Sequence, residues 1–294
     1  MKLSKLLATA KEKSNFETLE DFSAFAENFL EFMQSGFQAD IIAQNEPDYH
    51  FFQYKADGNL NVSRPVNSRL MYQIDDFERA KKNFEYSLKH LKSLNKDFSY
   101  RDNLNRFVYT CQQTIGIALD ALPSNESNAA RKNAGDLFER FIRLIMLSAG
   151  VNVDTGIVKI PVKNGSDILC EMAYQHDLIV KKNEKIKAIG SVKTTSKDRL
   201  DKIFIDKHLY NRLTNSQTPH FAIFLNDVQR KGMEPKYGVN TTFKSGHFKG
   251  YTIKLTPLDG VYYCDLRPNM KTDILLKKYI KSFDYFMFED VWKY

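Results

Sequence analysis

Apolar residues recur along this chain with two different periods, and the change from one to the other divides it. Phe22, Phe25, Phe29 and Phe32 stand three and four apart within residues 16–35, which predicts an amphipathic helix with one aromatic, core-facing stripe. Residues 67–95 and 101–121 carry the same helical spacing, and the run from Lys81 to Lys96 interleaves lysines with apolar positions as a solvated helix face does. Residues 45–66 hold Asn45, Pro47, Gly58, Asn59 and Pro65, a loop-rich stretch with room for short strands near 50–55 and 60–63. The polar run from Pro123 to Asn128 is the sharpest break. It divides a mainly helical lobe, residues 1–123, from residues 124–294.

After the break the pattern predicts a helix over 129–149, strands near 156–161, 173–181 and 186–194, a second helix, and a wholly apolar strand over 221–225. Ser196 is placed to cap the second helix, with Asp198 in its first turn. A helix between two such strands implies a right-handed crossover in a sheet covered on both faces. Residues 129–227 thus read as an α/β core of order αβββαβ, a mixed sheet flanked by helices. Farther on, Gly232, Pro235, Gly238, Gly246 and Gly250 punctuate a lysine-rich loop over 228–250. Residues 251–255 and 261–266 predict a second β-hairpin, and 274–292 a final amphipathic helix packed on the core or on another subunit.

Within the core, Leu178-Ile179-Val180 and Ala188-Ile189 flank a charged turn and predict an antiparallel hairpin. A turn centred on residue 184 sets Asp177 opposite Ser191; one centred on 185 sets it opposite Lys193. Either register brings an acid and a lysine to one face at the open end of the hairpin, a pairing suited to a divalent metal and a phosphate.

Composition narrows the picture only a little. The 294 residues, 43% hydrophobic and 27% charged, are those of a globular chain with ample core, and +7 net charge with a pI near 9 suits a polyanionic partner without specifying one. Cys111, Cys170 and Cys264 show no paired or metal-ligand spacing, so a reducing cytoplasm is the expected compartment. No segment has the length and apolarity of a signal or membrane span, and we expect no membrane association. No phosphate-binding loop, dinucleotide fingerprint, nucleophile elbow or zinc-protease motif is present, and His176 is set to point away from the face of Asp177.

His176-Asp177 at the second core strand and Ser191-Val192-Lys193 at the end of the third, in this element order, resemble the PD-(D/E)xK nuclease superfamily, and type II restriction endonucleases of the S-x-K variant in particular. The likeness covers about a hundred residues. His176 replaces the usual proline and Ser191 the usual acid, so a carboxylate from elsewhere must complete the site. Gly135 to Glu139 is similar to the superfamily's G-x-x-x-E helix, which makes Glu139 the first candidate; an exposed ion pair with Arg143 is its other available role. Asp206, thirteen residues after Lys193, is the alternative, ahead of Glu171 and Asp167.

The resemblance implies Mg²⁺ held by Asp177, Glu139 and the main-chain carbonyl of Val192. Lys193 would then orient a water and touch the phosphate, with Ser191 hydrogen-bonding to solvent at the metal. Lys197 and Arg199, just after the motif, would meet the DNA backbone. The implied function is Mg²⁺-dependent hydrolysis of double-stranded DNA at a short specific sequence, leaving a 5′-phosphate. A homodimer is implied, with a cognate DNA methyltransferase in the same system and base contacts from the 228–250 loop and the N-terminal lobe. A junction resolvase or repair nuclease on the same core, or a nuclease fold that binds DNA without cutting it, would carry the same motif residues.

Overall fold

A computed structural model describes residues 2–56, 59–232 and 236–294. Gly58 and Pro235, counted above among the loop-marking residues, lie outside them. Helix α1 (Leu3–Lys11) leads through a short 3-10 turn into α2 (Leu19–Gly36), which starts on a reciprocal cap between Thr18 and Asp21 and buries Phe22, Phe25, Phe29 and Phe32 as its spacing predicts. Strands β1 (Ala39–Ile42), β2 (Tyr49–Ala56), β3 (Asn59–Val62) and β4 (Val66–Asn67) form a small antiparallel sheet in the stretch expected to be loop-rich. Helix α3 (Ile74–His90) and α4 (Phe98–Asp120) follow, the latter capped by Asp97 and buried over most of its circumference.

The core matches the predicted order. Helix α5 (Ser127–Ser148) precedes strands β5 (Val153–Asn164), β6 (Asp167–Lys182) and β7 (Lys185–Lys193), then α6 (Leu200–Thr214) and β8 (His220–Phe224). Between β6 and β7, Asn183 and Glu184 both adopt positive φ, the two-residue turn whose twist suits a hairpin. Leu178 pairs with Gly190, so the body of the ladder is centred on residue 184, with a one-residue shift next to the turn. Gly190 is required there: a Cβ would come within 2.5 Å of the Phe221 ring on the neighbouring strand.

Beyond β8 the structure departs from the sequence-based expectation. The 228–250 segment contains a hairpin of β9 (Val228–Lys231) and β10 (Gly238–Thr241) and the start of a helix. That helix, α7 (Ser245–Lys254), takes residues 251–254, which were expected to form a strand. The second hairpin does not exist: β11 (Gly260–Tyr263) lies parallel to β8, and a parallel neighbour needs a crossover, which α7 supplies. The expected long terminal helix is broken into α8 (Pro268–Thr272), α9 (Leu276–Tyr279), a parallel strand β12 (Ile280–Ser282) and α10 (Phe283–Phe288).

The main sheet therefore has six strands in the order β12-β11-β8-β7-β6-β5, antiparallel across β5, β6 and β7 and parallel from β7 onward. One face packs on α5, the N-terminal helices and the α10 end of the chain in a single apolar cluster. The other face packs on α6, α7 and the short helices after β11. Residues 1–123 thus share their core with the sheet rather than enclosing a separate one.

Candidate active site

The carboxyl end of β7 is where the sheet opens. Leu178 and Gly190 form the last backbone pair of the β6–β7 ladder, and beyond it the strands part. Asp177 closes the gap, its Oδ2 accepting a hydrogen bond from the Val192 N–H at 2.8 Å. On its other side β6 carries a bulge. Asp154 faces Ile179 and Gly156 faces His176, so Asp177 and Leu178 together face the single residue Thr155. Thr155 Oγ1 donates to the His176 carbonyl at 3.1 Å and pins the distortion. The bulge reverses side-chain parity within one strand: His176 packs toward α6 beside Tyr210, whereas Leu178 joins the α5 cluster.

Lys193 reaches into this gap from the last position of β7. Its Nζ lies 2.6 Å from Glu139 Oε1 and 2.7 Å from Asp177 Oδ2. The carboxylates of a helix and a strand therefore converge on one ammonium, and the two oxygens can be no farther apart than those distances together. Glu139 sits mid-way along α5 among Leu137, Phe138, Phe141 and Ile142, all fully buried, which turns its carboxylate toward the sheet. It pairs with Lys193 and not with Arg143, the partner four residues along its own helix. The three side chains keep 30% (Lys193), 29% (Glu139) and 15% (Asp177) of their surface exposed, enough to meet a ligand from solvent.

The electrostatics follow from this crowding. Burial pushes the Glu139 carboxyl above its ordinary pKa, the charge of Asp177 adds to that, and Lys193 opposes both. Burial would lower the Lys193 pKa, but Asp177 and Glu139 overcome it and hold the ammonium charged above its ordinary value. Two carboxylates share one cation, which leaves uncompensated negative charge on hard oxygens. Such oxygens could hold a small divalent cation with solvent completing its shell. Among the described residues, no three His, Cys, Asp or Glu side chains gather with metal-binding geometry, so the protein supplies two carboxylates and no third.

The remaining predicted residues are distributed as follows. Ser191 is half-buried, one residue before Val192, whose N–H donates to Asp177. Asp206 does not join Lys193; it pairs with Lys202 one turn away on α6, the helix that packs on the His176 side of the sheet. Glu171 and Asp167 lie exposed on the distal half of β6, Glu171 facing Lys159 at 3.9 Å. Lys197 and Arg199 are exposed on the segment leaving β7, Lys197 bonding to Gln229 at 3.2 Å. Ser196 does not cap α6, whose first residue is Leu200, and Asp198 sits before the helix with φ of 56°.

Ser196 is held instead by Asp227, which the sequence reading passed over. Fully buried just past β8, Asp227 accepts hydrogen bonds from Thr195 Oγ1 (2.7 Å), the Ser196 N–H (2.8 Å), Ser196 Oγ, Thr242 Oγ1 (3.0 Å) and Tyr263 OH (2.7 Å). It ties the segment after Lys193 to the carboxyl edges of β8 and β11. An acid at the end of a wholly apolar strand was the only signal available for it. Behind Asp177, His176 and His220 are buried around Tyr210, and burial lowers both imidazole pKa values, that of His220 to about 4.

No protein-family model matches the chain, and no curated protein matches it in sequence. A search of solved structures finds the type IIP restriction endonuclease Kpn2I, which superposes with a TM-score of 0.70 over 99% of this chain and 96% of its own, at 17% identity. The chain therefore has the restriction-endonuclease-like fold. The restriction endonuclease AgeI, solved as a complex with DNA, aligns with a TM-score of 0.41 at 10% identity over 81% of this chain and 98% of that one. With Kpn2I the likeness extends over both the core and its N-terminal and C-terminal additions, so the whole chain, and not only residues 129–227, belongs to the restriction-endonuclease-like fold.

Proposed function

We propose that this chain is a metal-dependent endonuclease that hydrolyses double-stranded DNA at a short specific sequence, as type II restriction enzymes do. The observation that supports it most directly is the Glu139–Lys193–Asp177 cluster at the open end of the β6–β7 ladder, within a restriction-endonuclease-like fold over the whole chain. Asp177 and Glu139 would hold Mg²⁺ with the Val192 carbonyl. The ion, when bound, makes a nearby water more acidic and offsets charge building on the phosphate. Lys193 stands as hydrogen-bond donor and positive charge for the phosphate oxygens and for the attacking water. Lys197 and Arg199, presented on the segment that Asp227 anchors, would grip the backbone next to the cut.

The lobe of residues 1–123 and the segment 228–250 are where base contacts and the homodimer interface would lie, with a cognate methyltransferase protecting the same sequence. Digesting a random-sequence duplex library with Mg²⁺ and sequencing the new ends tests the proposal. Ends at one short motif support it. Cleavage of branched DNA without sequence preference would point to a resolvase. Ser191 in place of the usual acid keeps a second reading in view, a binding module that no longer cuts, and DNA binding without nicking at any Mg²⁺ concentration would establish that instead.

A further inference from the structure

A polar crevice of about 660 Å³ lies between the N-terminal lobe and the carboxyl edge of the main sheet, where β11 and β12 end. It shares that edge with the candidate active site. Lys193 and Tyr263 both pair with Phe224, one from each side, so β7 and β11 end level and two strand spacings apart, about 10 Å. The crevice begins at Cys264 and Asp265, immediately after Tyr263.

Its wall is built from polar side chains that the fold buries. Asp265 is 2% exposed and accepts from Tyr49 OH at 2.7 Å and Asn67 Nδ2 at 3.1 Å, with no direct cation partner among the described residues. Asn105, 7% exposed, donates to the Cys264 carbonyl at 2.8 Å and leaves its Oδ1 without a hydrogen bond. Arg267, 7% exposed, bonds to Tyr49 and Glu46 and leaves Nε unused. A buried carboxylate and an unpaired amide oxygen are costly unless something completes them. The other acids of the wall have partners of their own: Glu46 pairs with Arg267, Asp284 with Arg101, Asp48 with Arg69 and Asp102, more loosely, with Arg106 at 3.8 Å. Lys271 has no ion-pair partner among the described residues. At the mouth, Phe98 is 84% exposed, an aromatic ring in water at the lip of a polar pocket.

The unmet demands are thus for hydrogen-bond donors at Asp265 and Asn105, for an acceptor at Arg267 Nε, for an anion near Lys271 and for a flat apolar surface at the lip. A nucleotide whose base carries an amino group beside a ring nitrogen or carbonyl offers all four. We propose that the crevice takes one unstacked nucleotide of the DNA strand bound at Lys193, its phosphate toward Lys271, the amino edge of its base toward Asp265 and Asn105, and Phe98 against the base left behind. The inference rests on the nuclease reading. It adds that adenine, cytosine or guanine is accepted over thymine, and that the extruded position lies within about three base steps of the cut, at 3.4 Å of rise each.

Duplexes carrying 2-aminopurine at successive positions around the cleavage sequence, bound to the wild-type protein without divalent metal, test this. One position should brighten about fivefold or more as its base leaves the stack. The signal should fall in Phe98→Ala and Lys271→Ala, both surface changes that leave the fold intact, and a mismatch opposite that position, which lowers the cost of unpairing and keeps the base, should bind at least as tightly as the paired duplex. If the protein binds and cuts the sequence while every position stays quenched, the pocket assignment is overturned and the nuclease reading stands. If it neither binds nor cuts DNA, both fall.

Discussion

Replacing Lys193 with methionine keeps the length of the side chain and removes the one cation between two acids. Glu139 and Asp177 then face each other without it; at ~5 Å and an effective dielectric of ~20, two like charges repel by about 3 kcal/mol. Because the side chains are partly exposed, solvent will absorb some of that, and a loss of about 1–2 kcal/mol is expected, or a fall in Tm of about 2–5 °C for a chain this size. The sign with pH is fixed by Glu139. Its folded pKa already stands above its ordinary value because of burial and Asp177, and losing Lys193 raises it further. A carboxyl with a raised folded pKa destabilises at neutral pH and ceases to do so as pH falls through that pKa. The variant should therefore lag the wild type at pH 7.5 and close most of the gap by pH 5 in urea or thermal unfolding. Cleavage of plasmid DNA should drop by at least ~10²-fold, the scale for losing a group that stabilises developing charge, while DNA binding persists. Near-normal cleavage, or a stability gap equal at both pH values, would refute the assigned cluster.

Three further outcomes follow from the geometry. Glu139→Ala should abolish cleavage by ~10²-fold or more, whereas Asp206→Ala, which removes only a surface pair with Lys202, should leave the rate within about threefold; the reverse order in a side-by-side assay would move the missing acid to α6. Asp227→Ala strips the shared acceptor from Thr195, Ser196, Thr242 and Tyr263 and should cost about 3–5 kcal/mol in urea unfolding, with a loss under 1 kcal/mol showing that the anchor is dispensable. Glu184→Gly relieves a positive φ in the hairpin turn and should stabilise by roughly 0.5–1 kcal/mol with cleavage unchanged; destabilisation would argue against that turn.

How much of this was legible in the sequence depended on how local the cause was. The core elements followed from apolar runs bounded by turn residues, and the β6–β7 hairpin from the charged turn between Val180 and Ala188, although its register stayed open between centres at 184 and 185 until the Leu178–Gly190 pair decided it. The C-terminal third misled because Tyr251 to Leu255 alternates like a strand over five residues, too few to separate the two periods, while the helix is held by Phe248 and Thr252 packed one turn apart. The wholly apolar Val261-Tyr262-Tyr263 signalled a buried parallel strand, and with it a crossover helix, rather than half of a hairpin. Ser196 looked like a helix cap because its true partner, Asp227, stands 31 residues away, beyond any local pattern. Glu139 was reachable through the likeness of Gly135 to Glu139 to the G-x-x-x-E helix, on a helix apolar over much of its circumference.

The bulge at Asp177 and Leu178 bears on how sequences of this fold should be aligned and redesigned. Removing Leu178 would restore even pairing along β6 and give the more regular sheet. It would also set Asp177 opposite Gly190, about 3.4 Å farther back along β7 from Lys193. A redesign that rewards regular strands would therefore tend to erase the site. A one-residue gap at this point between two distant relatives would mark a change in chemistry rather than noise in an alignment.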